Sequence, residues 1–307
     1  MMAYDAQAVR RLVARGKQWD KVFVIAGLLC MMVGVLTLAL LLVGLIQDGA
    51  GRLNWQFFSH FPSRRAEQAG ILSAIVGSSL VMLVTALAAI PLGIAAGVYL
   101  EEYAGRNWVT EIIEVNVTNL AGVPSIVYGL LALSLFVYGL GFGQSILSAG
   151  LTLALLILPV IIVSTREAIR AIPGIIREGA YALGATRWQT VRDHVVPYST
   201  GGILTGVIIG LARAIGETAP VITIGALTFI AFLPPAPVSG EFPFLSFEWL
   251  RSPFTVMPIQ MFNWLSRPQA AFQENAAAAG VILVVMTLVM NAAAIWLRVR
   301  YRKRIKW

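Results

Sequence analysis

Two charged residues, Arg213 and Glu217, stand in an otherwise apolar stretch of this 307-residue sequence. An arginine inside a membrane costs roughly 2.5 to 3.5 kcal/mol even on the lenient insertion scale, so its side chain needs a partner or a wet path. On a helix, the four-residue spacing makes Glu217 that partner. A guanidinium presents a planar fork of donors to an oxyanion, and the carboxylate would hold its geometry. We therefore predict an oxyanion site at Arg213 and Glu217, with Thr218 as a further contact.

A row of glycines precedes this pair on the same predicted helix. Gly202, Gly206 and Gly210 recur every four residues, a spacing that lets two helices approach closely. At about 100° per residue, Arg213 and Glu217 continue nearly the same stripe. The row therefore predicts one face that is both narrow and charged. The alternative interpretation is a structural ion pair that neutralises itself and ties this helix to a neighbour.

A second segment of interest is the basic loop of residues 165–197. Its Ala, Leu, Glu, Arg and Gln residues favour helix, whereas Gly184 interrupts it, so two short helices are predicted. An apolar stripe follows both helices and consists of Ile175, Ile176, Ala180, Leu183, Trp188 and Val191. Because the hairpin is too short to cross a membrane, another surface has to cover this stripe. That surface is either a separate protein or the lipid interface.

The composition indicates what kind of element positions these residues. The chain is 58% hydrophobic and 12% charged, against roughly a quarter charged in an ordinary soluble domain. A helix needs about 20 apolar residues to cross the hydrocarbon core, and several charge-free runs reach that length. The predicted fold class is therefore all-α, a polytopic membrane protein with six transmembrane helices.

The predicted spans follow the charge-free runs. In chain order, the segments are an N-terminal tail (1–21), span 1 (22–46), span 2 (71–100), spans 3 and 4 between Glu114 and Arg166, span 5 (199–233), span 6 (275–297) and a basic tail (298–307). Residues 71–297 form the main membrane domain, and Gly139 to Gly143 supplies the turn between spans 3 and 4. Four acidic residues flank the loop after span 2 and are predicted to be solvated: Glu101, Glu102, Glu111 and Glu114.

Prolines are expected to shape several of these segments. Pro91, Pro124 and Pro159 fall within predicted spans and should bend or end them. A second cluster, Pro234, Pro235 and Pro237, lies between spans 5 and 6, so that segment cannot be a continuous helix. Within it, residues 254–266 are predicted to lie against the membrane surface.

The distribution of lysine and arginine predicts the orientation. Most of them lie in the two tails, at Arg106 after span 2 and in the 165–197 loop, and positive flanks are retained in the cytoplasm. Both termini are therefore predicted to be cytoplasmic, which agrees with an even number of spans. The basic residues form no patch interleaved with aromatic residues, so nucleic-acid binding is not expected.

Other chemistries lack the residues that they need. Cys30 is the single cysteine, and His60 and His194 are isolated, so no disulfide or metal site is predicted. The chain has no G-x-x-x-x-G-K-[ST] phosphate cradle, so we expect no ATP site and no other cofactor in it. These observations favour a transport protein over an enzyme.

The 165–197 loop resembles the coupling loop of type I ABC-importer permeases. That signature reads Glu-Ala-Ala, three residues, Gly, nine residues, Ile, any residue, Leu-Pro. The residues that match it at the same spacing are Glu178, Ala180, Gly184 and Pro197. Three positions depart from it, with Gly179, His194 and Val196 in place of Ala, Ile and Leu. The resemblance covers residues 71–297 and implies that the loop docks on a separate ATPase chain, which would bind ATP and Mg.

Two further segments resemble phosphate-specific permeases: Gly122 to Gly129 (GVPSIVYG) and Arg213 to Pro220 (RAIGETAP). Together with Phe254 to Gln260 and the short N-terminal tail, they are most similar to the A-type subunit. The resemblance implies import of inorganic phosphate by alternating access across the bacterial cytoplasmic membrane. The implied partners are a C-type permease subunit, two copies of an ABC ATPase, a periplasmic or surface phosphate-binding protein and membrane lipid.

Three alternatives remain at the level of the sequence. The same machine could carry another oxyanion, such as phosphonate, sulfate or molybdate, because an arginine serves many anions. An ion-coupled carrier or channel would use no ATP and would leave the coupling-loop signature without a role. A membrane scaffold that transports nothing would leave the cost of Arg213 and Glu217 unexplained.

Overall fold

The computed structural model describes residues 6–105, 107–236, 238 and 246–302. Arg106, Pro237 and residues 303–307 of the basic tail lie outside the described residues. The described residues form twelve α-helices: Ala6–Gly49 (α1), Trp55–Ser59 (α2), Leu72–Val98 (α3), Trp108–Leu120 (α4), Ser125–Ala132 (α5), Ile146–Arg170 (α6), Gly174–Ala182 (α7), Arg187–Thr190 (α8), Val196–Gly216 (α9), Ala219–Ile224 (α10), Met257–Leu265 (α11) and Ala270–Arg302 (α12).

Short 3₁₀ and π-helical segments extend or connect these helices. The 3₁₀ segments are Ala50–Arg52, Ala66–Gln68 and Glu248–Arg251, and the π-helical segments are Tyr99–Tyr103, Leu133–Gly139 and Val191–Val195. Each π-helical segment continues an α-helix or leads into one. The predicted all-α fold class is confirmed.

Five continuous helices are long and apolar enough to cross a membrane: Gly16–Arg52, Leu72–Tyr103, Ile146–Arg170, Arg187–Gly216 and Ala270–Arg300. A sixth candidate consists of Trp108–Leu120 and Ser125–Gly139, which meet at an angle of 108°. If this bent pair is one span, the described residues hold the predicted six. The break falls at Gly122 to Pro124, where a proline was expected to bend the helix, and the Tyr128 hydroxyl donates to the Leu120 carbonyl across it at 2.8 Å.

Several helices extend beyond the predicted spans, whose boundaries in the membrane stay predictions. Span 1 was predicted at 22–46, but α1 is continuous from Ala6, and α12 likewise extends beyond 275–297 at both ends. Pro91 lies inside α3 without ending it, and Pro159 lies inside α6. Apolar runs mark where a helix can enter lipid. The helices themselves continue through the charged flanks, because their hydrogen bonds join backbone groups and do not depend on whether the side chains are apolar.

The core of the described bundle is the packing of α3, α6 and α9. Val81, Val84, Leu153, Ile157 and Val207 are buried together at this junction. The backbones approach closely here, as shown by the hydrogen bond that the Thr85 hydroxyl on α3 donates to the carbonyl of Gly150 on α6 at 3.1 Å. A side chain at Gly150 would overlap Val84. These three helices form the frame that carries the Arg213–Glu217 pair and the loop of residues 165–197.

A second cluster joins the helices that follow the proline-rich segment. Met257 and Trp264 of α11 are buried together with Phe57 of α2 and Phe272 of α12. Residues 254–266 therefore pack into the bundle on one side, whereas Phe262 and Leu265 are exposed, and the position of this segment at the membrane surface stays a prediction. Periodicity alone could not distinguish a surface helix from a packed one, because α11 has enough apolar residues for either.

Candidate functional site

The ion pair predicted between Arg213 and Glu217 is present. Arg213 Nε lies 3.2 Å from Glu217 Oε1. The predicted continuous helix is wrong, however, because α9 ends at Gly216 and Glu217 has an extended backbone, with φ −73° and ψ 129°. Pro220 explains this end: it has no N–H, and its ring would clash with the carbonyl of Gly216 four residues earlier. The carboxylate therefore lies at a break between α9 and α10, where Thr218 occupies the N-cap position of α10 without a side-chain capping bond.

The two members of the pair differ in exposure. The Arg213 side chain is 38% exposed and that of Glu217 is 17% exposed. Glu217 borders a cavity of only about 10 Å³ between α3, α6 and α9, which has room for roughly one water molecule. The inner side of the pair is thus tightly packed. Arg213 points away from that packing, toward the outer surface of this chain.

The Arg213 guanidinium retains binding capacity beyond this ion pair. Its Nε is used by Glu217, whereas neither Nη group makes a hydrogen bond to any described residue. The two Nη atoms are the parallel donors that a bidentate contact with an oxyanion requires. The fork is held in position by the carboxylate and remains open on its other edge.

The glycine row packs against α6, not alongside the charged pair. A side chain at Gly202 would overlap Ala168, one at Gly206 would overlap Ser164, and Gly210 faces Ile157. The row continues to Ala214, which is buried. The prediction that the glycines and Arg213 share one stripe is therefore wrong. Four residues advance a helix by 400°, so the next member of the row after Gly210 is Ala214, while Arg213 lies on the adjacent face.

The structure brings Arg213 close to the bent pair α4 and α5. Gly129 on α5 packs directly on α10, where an added side chain would overlap Thr223 and Pro220. The segments Gly122–Gly129 and Arg213–Pro220, far apart in sequence, thus form one contact. The sequence had singled out both segments, but not their contact with each other.

The 165–197 loop has the predicted hairpin form. α7 ends at Ala182, Gly184 adopts a left-handed φ of +85°, and α8 begins at Arg187. Only glycine takes that conformation at no steric cost, which explains the residue type at this joint. Thr186 then caps α8 in a capping box with Gln189. Pro197 lies in the first turn of α9.

The apolar stripe predicted on this loop is split between two surfaces. Ala180 is buried and Ile176 packs against the ends of the membrane helices. Ile175 is 74% exposed, and Leu183, beside Gly184, is 91% exposed. Glu178 is exposed as well. One face of α7 therefore rests on the bundle, and the other presents an apolar leucine and isoleucine beside a carboxylate.

A network of ion pairs at the base of this loop was missed by the sequence analysis. Glu102 pairs with Arg177 at 2.7 Å, and Glu114 pairs with Arg166 at 2.7 Å. Glu101 accepts two hydrogen bonds from Arg170, at 3.1 and 2.9 Å. The prediction that Glu101 and Glu102 are solvated is therefore wrong, whereas Glu111 is exposed and Glu114 keeps 34% of its side chain exposed. The only local signal was an acidic doublet at the end of one span and an arginine series after another.

The described helices are long enough to cross a membrane, carry a paired arginine and include a helical hairpin at one end. These features are typical of the class of polytopic membrane permeases. The family model described as "Binding-protein-dependent transport system inner membrane component" matches residues 89–307. The chain belongs to this family. It is a transport subunit and not an enzyme, since the ATPase of such systems is a separate subunit.

Sequence relatives agree with this assignment. The chain is 33% identical over 275 residues to the probable ABC transporter permease protein YqgI of Bacillus subtilis (strain 168), covering 87% of this chain and 92% of that protein. It is 35% identical over 222 residues to the phosphate transport system permease protein PstA of Mycobacterium leprae (strain TN), covering 72% and 68%. It is 31% identical over 294 residues to PstA of Yersinia pestis, covering 93% and 92%.

Solved structures agree on the fold. A bacterial alginate ABC transporter in complex with its pentasaccharide-bound periplasmic protein matches with a TM-score of 0.62 at 14% identity, covering 91% of this chain and 94% of that chain. The MetNI methionine ABC transporter in an inward-facing conformation matches with a TM-score of 0.57 at 16% identity, covering 75% and 97%. The chain therefore has the fold of an ABC importer permease.

Proposed function

We propose that this chain is the A-type permease subunit of an ATP-driven importer of inorganic phosphate. It would lie in the bacterial cytoplasmic membrane with both termini in the cytoplasm. The single observation that supports the substrate most directly is the state of Arg213: Glu217 holds its Nε, and both Nη donors have no hydrogen-bond partner among the described residues. Names of relatives that include phosphate transport agree with an oxyanion substrate.

The exposure of Arg213 suggests where the pathway runs. Because this side chain faces the outer surface of a tightly packed subunit, the path would lie between this chain and a second permease subunit. A C-type permease would supply the other wall. This arrangement lets the two subunits separate and close around Arg213 while each one keeps its own packed core.

The carboxylate of Glu217 has a distinct role in this proposal. It neutralises the arginine in the empty pathway, so the site does not become a permanent anion trap. A phosphate ion at neutral pH still carries a proton and can donate it in a hydrogen bond to Glu217 while its other oxygens accept from Arg213. Thr218 would offer a further hydroxyl beside the break between α9 and α10.

The cytoplasmic hairpin supplies the connection to ATP. Glu178, Ala180, Gly184 and Pro197 would set the geometry of the loop, and the exposed side of α7 would dock on one of two ATPase copies. ATP with Mg would bind only in those partners. Closure of the ATPase dimer would open the permease outward, where a phosphate-binding protein delivers the solute, and hydrolysis would reset it. An ion-coupled carrier leaves this exposed hairpin without a function.

The first prediction concerns Arg213. In proteoliposomes holding the purified complex, Arg213→Gln should lower ATP-dependent uptake of labelled phosphate at least tenfold, equivalent to a loss of about 1.4 kcal/mol or more in transition-state stabilisation. Arg300→Gln is the matched control, since it removes the same charge from an exposed position near the end of α12 and should leave uptake unchanged. Normal uptake by assembled Arg213→Gln complex would reassign the pair to structure.

Another oxyanion is the second candidate, because the open fork of Arg213 is favourable to any planar pair of acceptor oxygens. Uptake of phosphate in the presence of excess sulfate, molybdate or phosphonate separates the two. Inhibition by unlabelled phosphate alone supports the proposal. Strong inhibition by sulfate at equal concentration would broaden the substrate to oxyanions in general.

A further inference from the structure

The Glu102–Arg177 ion pair joins the cytoplasmic hairpin to the end of a membrane helix. Arg177 lies on α7, and Glu102 lies in the π-helical turn Tyr99–Tyr103 that extends α3. Arg177 donates to Glu102 Oε1 from Nε at 3.0 Å and from Nη2 at 2.7 Å. Its Nη1 donates to the carbonyl of Ile172 at 3.0 Å, and Nη2 also donates to that of Ile169 at 3.1 Å. One side chain thus connects α7, α3 and the end of α6.

Burial distinguishes this pair from ordinary surface ion pairs. The side chain of Glu102 is only 6% exposed and that of Arg177 is 21% exposed. A carboxylate in such a position loses most of its hydration, so it depends on its arginine far more than a solvated carboxylate does. Exposed pairs on the same loop, such as Arg192 with Asp193, carry no comparable constraint.

An apolar cluster lies beneath the same junction. Ile169, Ile172 and Val195 are buried together, with Val98 and Ile176 packed against them. These residues come from α3, the end of α6, α7 and the segment that leads into α9. Apolar packing holds the hairpin against the bundle but specifies no direction, whereas the bonds of Arg177 fix the angle of α7.

A neighbouring set of ion pairs holds the receiving helices together. Arg166 on α6 contacts Glu114 on α4 at 2.7 Å and Glu101 at 3.6 Å, and Arg170 binds Glu101 with two hydrogen bonds. Glu101 and Glu102 are adjacent, yet one pairs with α6 and the other with α7. The acidic doublet is therefore the point at which the end of α3 is joined to both.

We propose that Arg177 and Glu102 are positioning residues that make α7 and the membrane helix α3 move as one body. A displacement applied to the exposed side of α7 would then reach α3, and through Glu101 also α6 and α4. This inference rests on the proposed function, because it assigns the ion pair to the step that converts ATPase closure into opening of the permease. Neither residue is placed in contact with the solute.

The test compares Glu102→Gln, Arg177→Gln and the exchange of both charges, Glu102→Arg with Arg177→Glu. The matched control is Glu167→Gln, which makes the same chemical change at a side chain that is 64% exposed. The measurements on purified complex in proteoliposomes are its yield, its rate of ATP hydrolysis and the phosphate imported per ATP. The expected result for either single variant is hydrolysis within about twofold of wild type and phosphate per ATP lowered at least fivefold. The exchange should restore a substantial part, and Glu167→Gln should resemble wild type.

The contrary results are equally defined. Unchanged phosphate per ATP in assembled single variants overturns the proposal. If the single variants do not assemble, the exchange decides: assembled complex with wild-type coupling supports the proposal, and any other result makes the pair merely structural.

A second measurement does not depend on the solute. In a Cys30→Ser background, spin labels at Leu87→Cys on α3 and Ile175→Cys on α7 occupy exposed positions. Leu87 precedes Glu102 by about four helical turns, so the labels are separated enough for pulsed dipolar spectroscopy. In wild type, the distribution of distances between the two labels should be narrow and the same with and without ATP. In Glu102→Gln, this distribution should broaden. A distance distribution that is equally narrow in wild type and in Glu102→Gln overturns the proposed rigid connection. A wild-type complex that imports no phosphate would refute only the proposed function.

Discussion

At the residue scale, the arrangement of Arg213 explains how a charged residue can be retained in an apolar helix. Its charge is balanced by Glu217, which lies at the end of α9, where the backbone has left the helix. The hydrogen-bonding capacity of the guanidinium is only partly used, because among the described residues only Nε has a partner. A buried ion pair alone is weak evidence for function. The open Nη fork is what turns this pair into a candidate anion site.

The carboxylate should affect selectivity more than binding strength. Glu217→Gln replaces the charged acceptor that a protonated phosphate uses by a neutral amide, which can also donate, and removes the negative charge that repels a fully deprotonated sulfate. We expect sulfate to inhibit phosphate uptake at least about tenfold more strongly in this variant than in wild type, a change of roughly 1.4 kcal/mol.

Competition curves with unlabelled sulfate on the two complexes measure this change. Glu67→Gln, at an exposed position in the 3₁₀ segment Ala66–Gln68, is the control and should give the same sulfate inhibition curve as wild type. Equal sulfate inhibition of wild type and Glu217→Gln would remove Glu217 from selectivity.

At the element scale, close approach between α6 and α9 decides where Arg213 points. The glycines on α9 let Ser164 and Ala168 of α6 occupy the space that side chains would need. This contact fixes the rotation of α9 about its own axis, and so places Arg213 on the outward face. The glycine row therefore supports the site indirectly, through packing.

Adding one methyl group tests that contact. Gly206→Ala should destabilise the purified complex by about 1 to 3 kcal/mol, because the new methyl overlaps Ser164 in a packed interface. Gly201→Ala is the matched control on the same helix, since no atom lies within 4 Å of a side chain added there. It should be neutral or slightly stabilising, because alanine favours helix over glycine. Thermal unfolding in detergent measures both, and equal melting temperatures would contradict the predicted contact.

At the scale of the whole molecule, the two candidate sites lie on one frame. Arg213 is near one end of α9, and the hairpin leads into the other end of the same helix. α3 and α6 pack along this helix and converge on the hairpin through the arginine network. The hairpin and Arg213 are therefore connected through helices that pack against one another.

The exposed side of the hairpin should determine assembly. Leu183→Asp replaces the most exposed apolar residue of α7 and its joint, 91% exposed, by a charge that cannot enter an apolar groove. We expect recovery of the ATPase with affinity-tagged permease to fall at least fivefold. Leu140→Asp, an exposed leucine near the opposite end of α6, should leave that recovery unchanged. Full ATPase recovery with Leu183→Asp would place the docking surface elsewhere.

The sequence by itself determined the features that depend on composition and short spacing. Charge-free runs gave the all-α membrane class, four-residue spacing gave the Arg213–Glu217 pair, and Gly184 gave the hairpin joint. Each follows from helical geometry or from backbone sterics within a few residues. The end of α9 is only partly local, since Pro220 removes a helical hydrogen bond there, whereas Pro91 and Pro159 are accommodated inside α3 and α6.

Only the tertiary structure decided which distant groups meet. Arg177 and Glu102 are 75 residues apart, so no local periodicity connects them. From the sequence, a carboxylate beside a loop is predicted to be solvated, and only the packing of a second helix against it shows that Glu102 is buried. The same holds for Gly129 against Pro220 and for the outward direction of Arg213. Helix periodicity fixes relative angles along one helix, whereas the rotation of that helix against its neighbours is set by side-chain packing between elements.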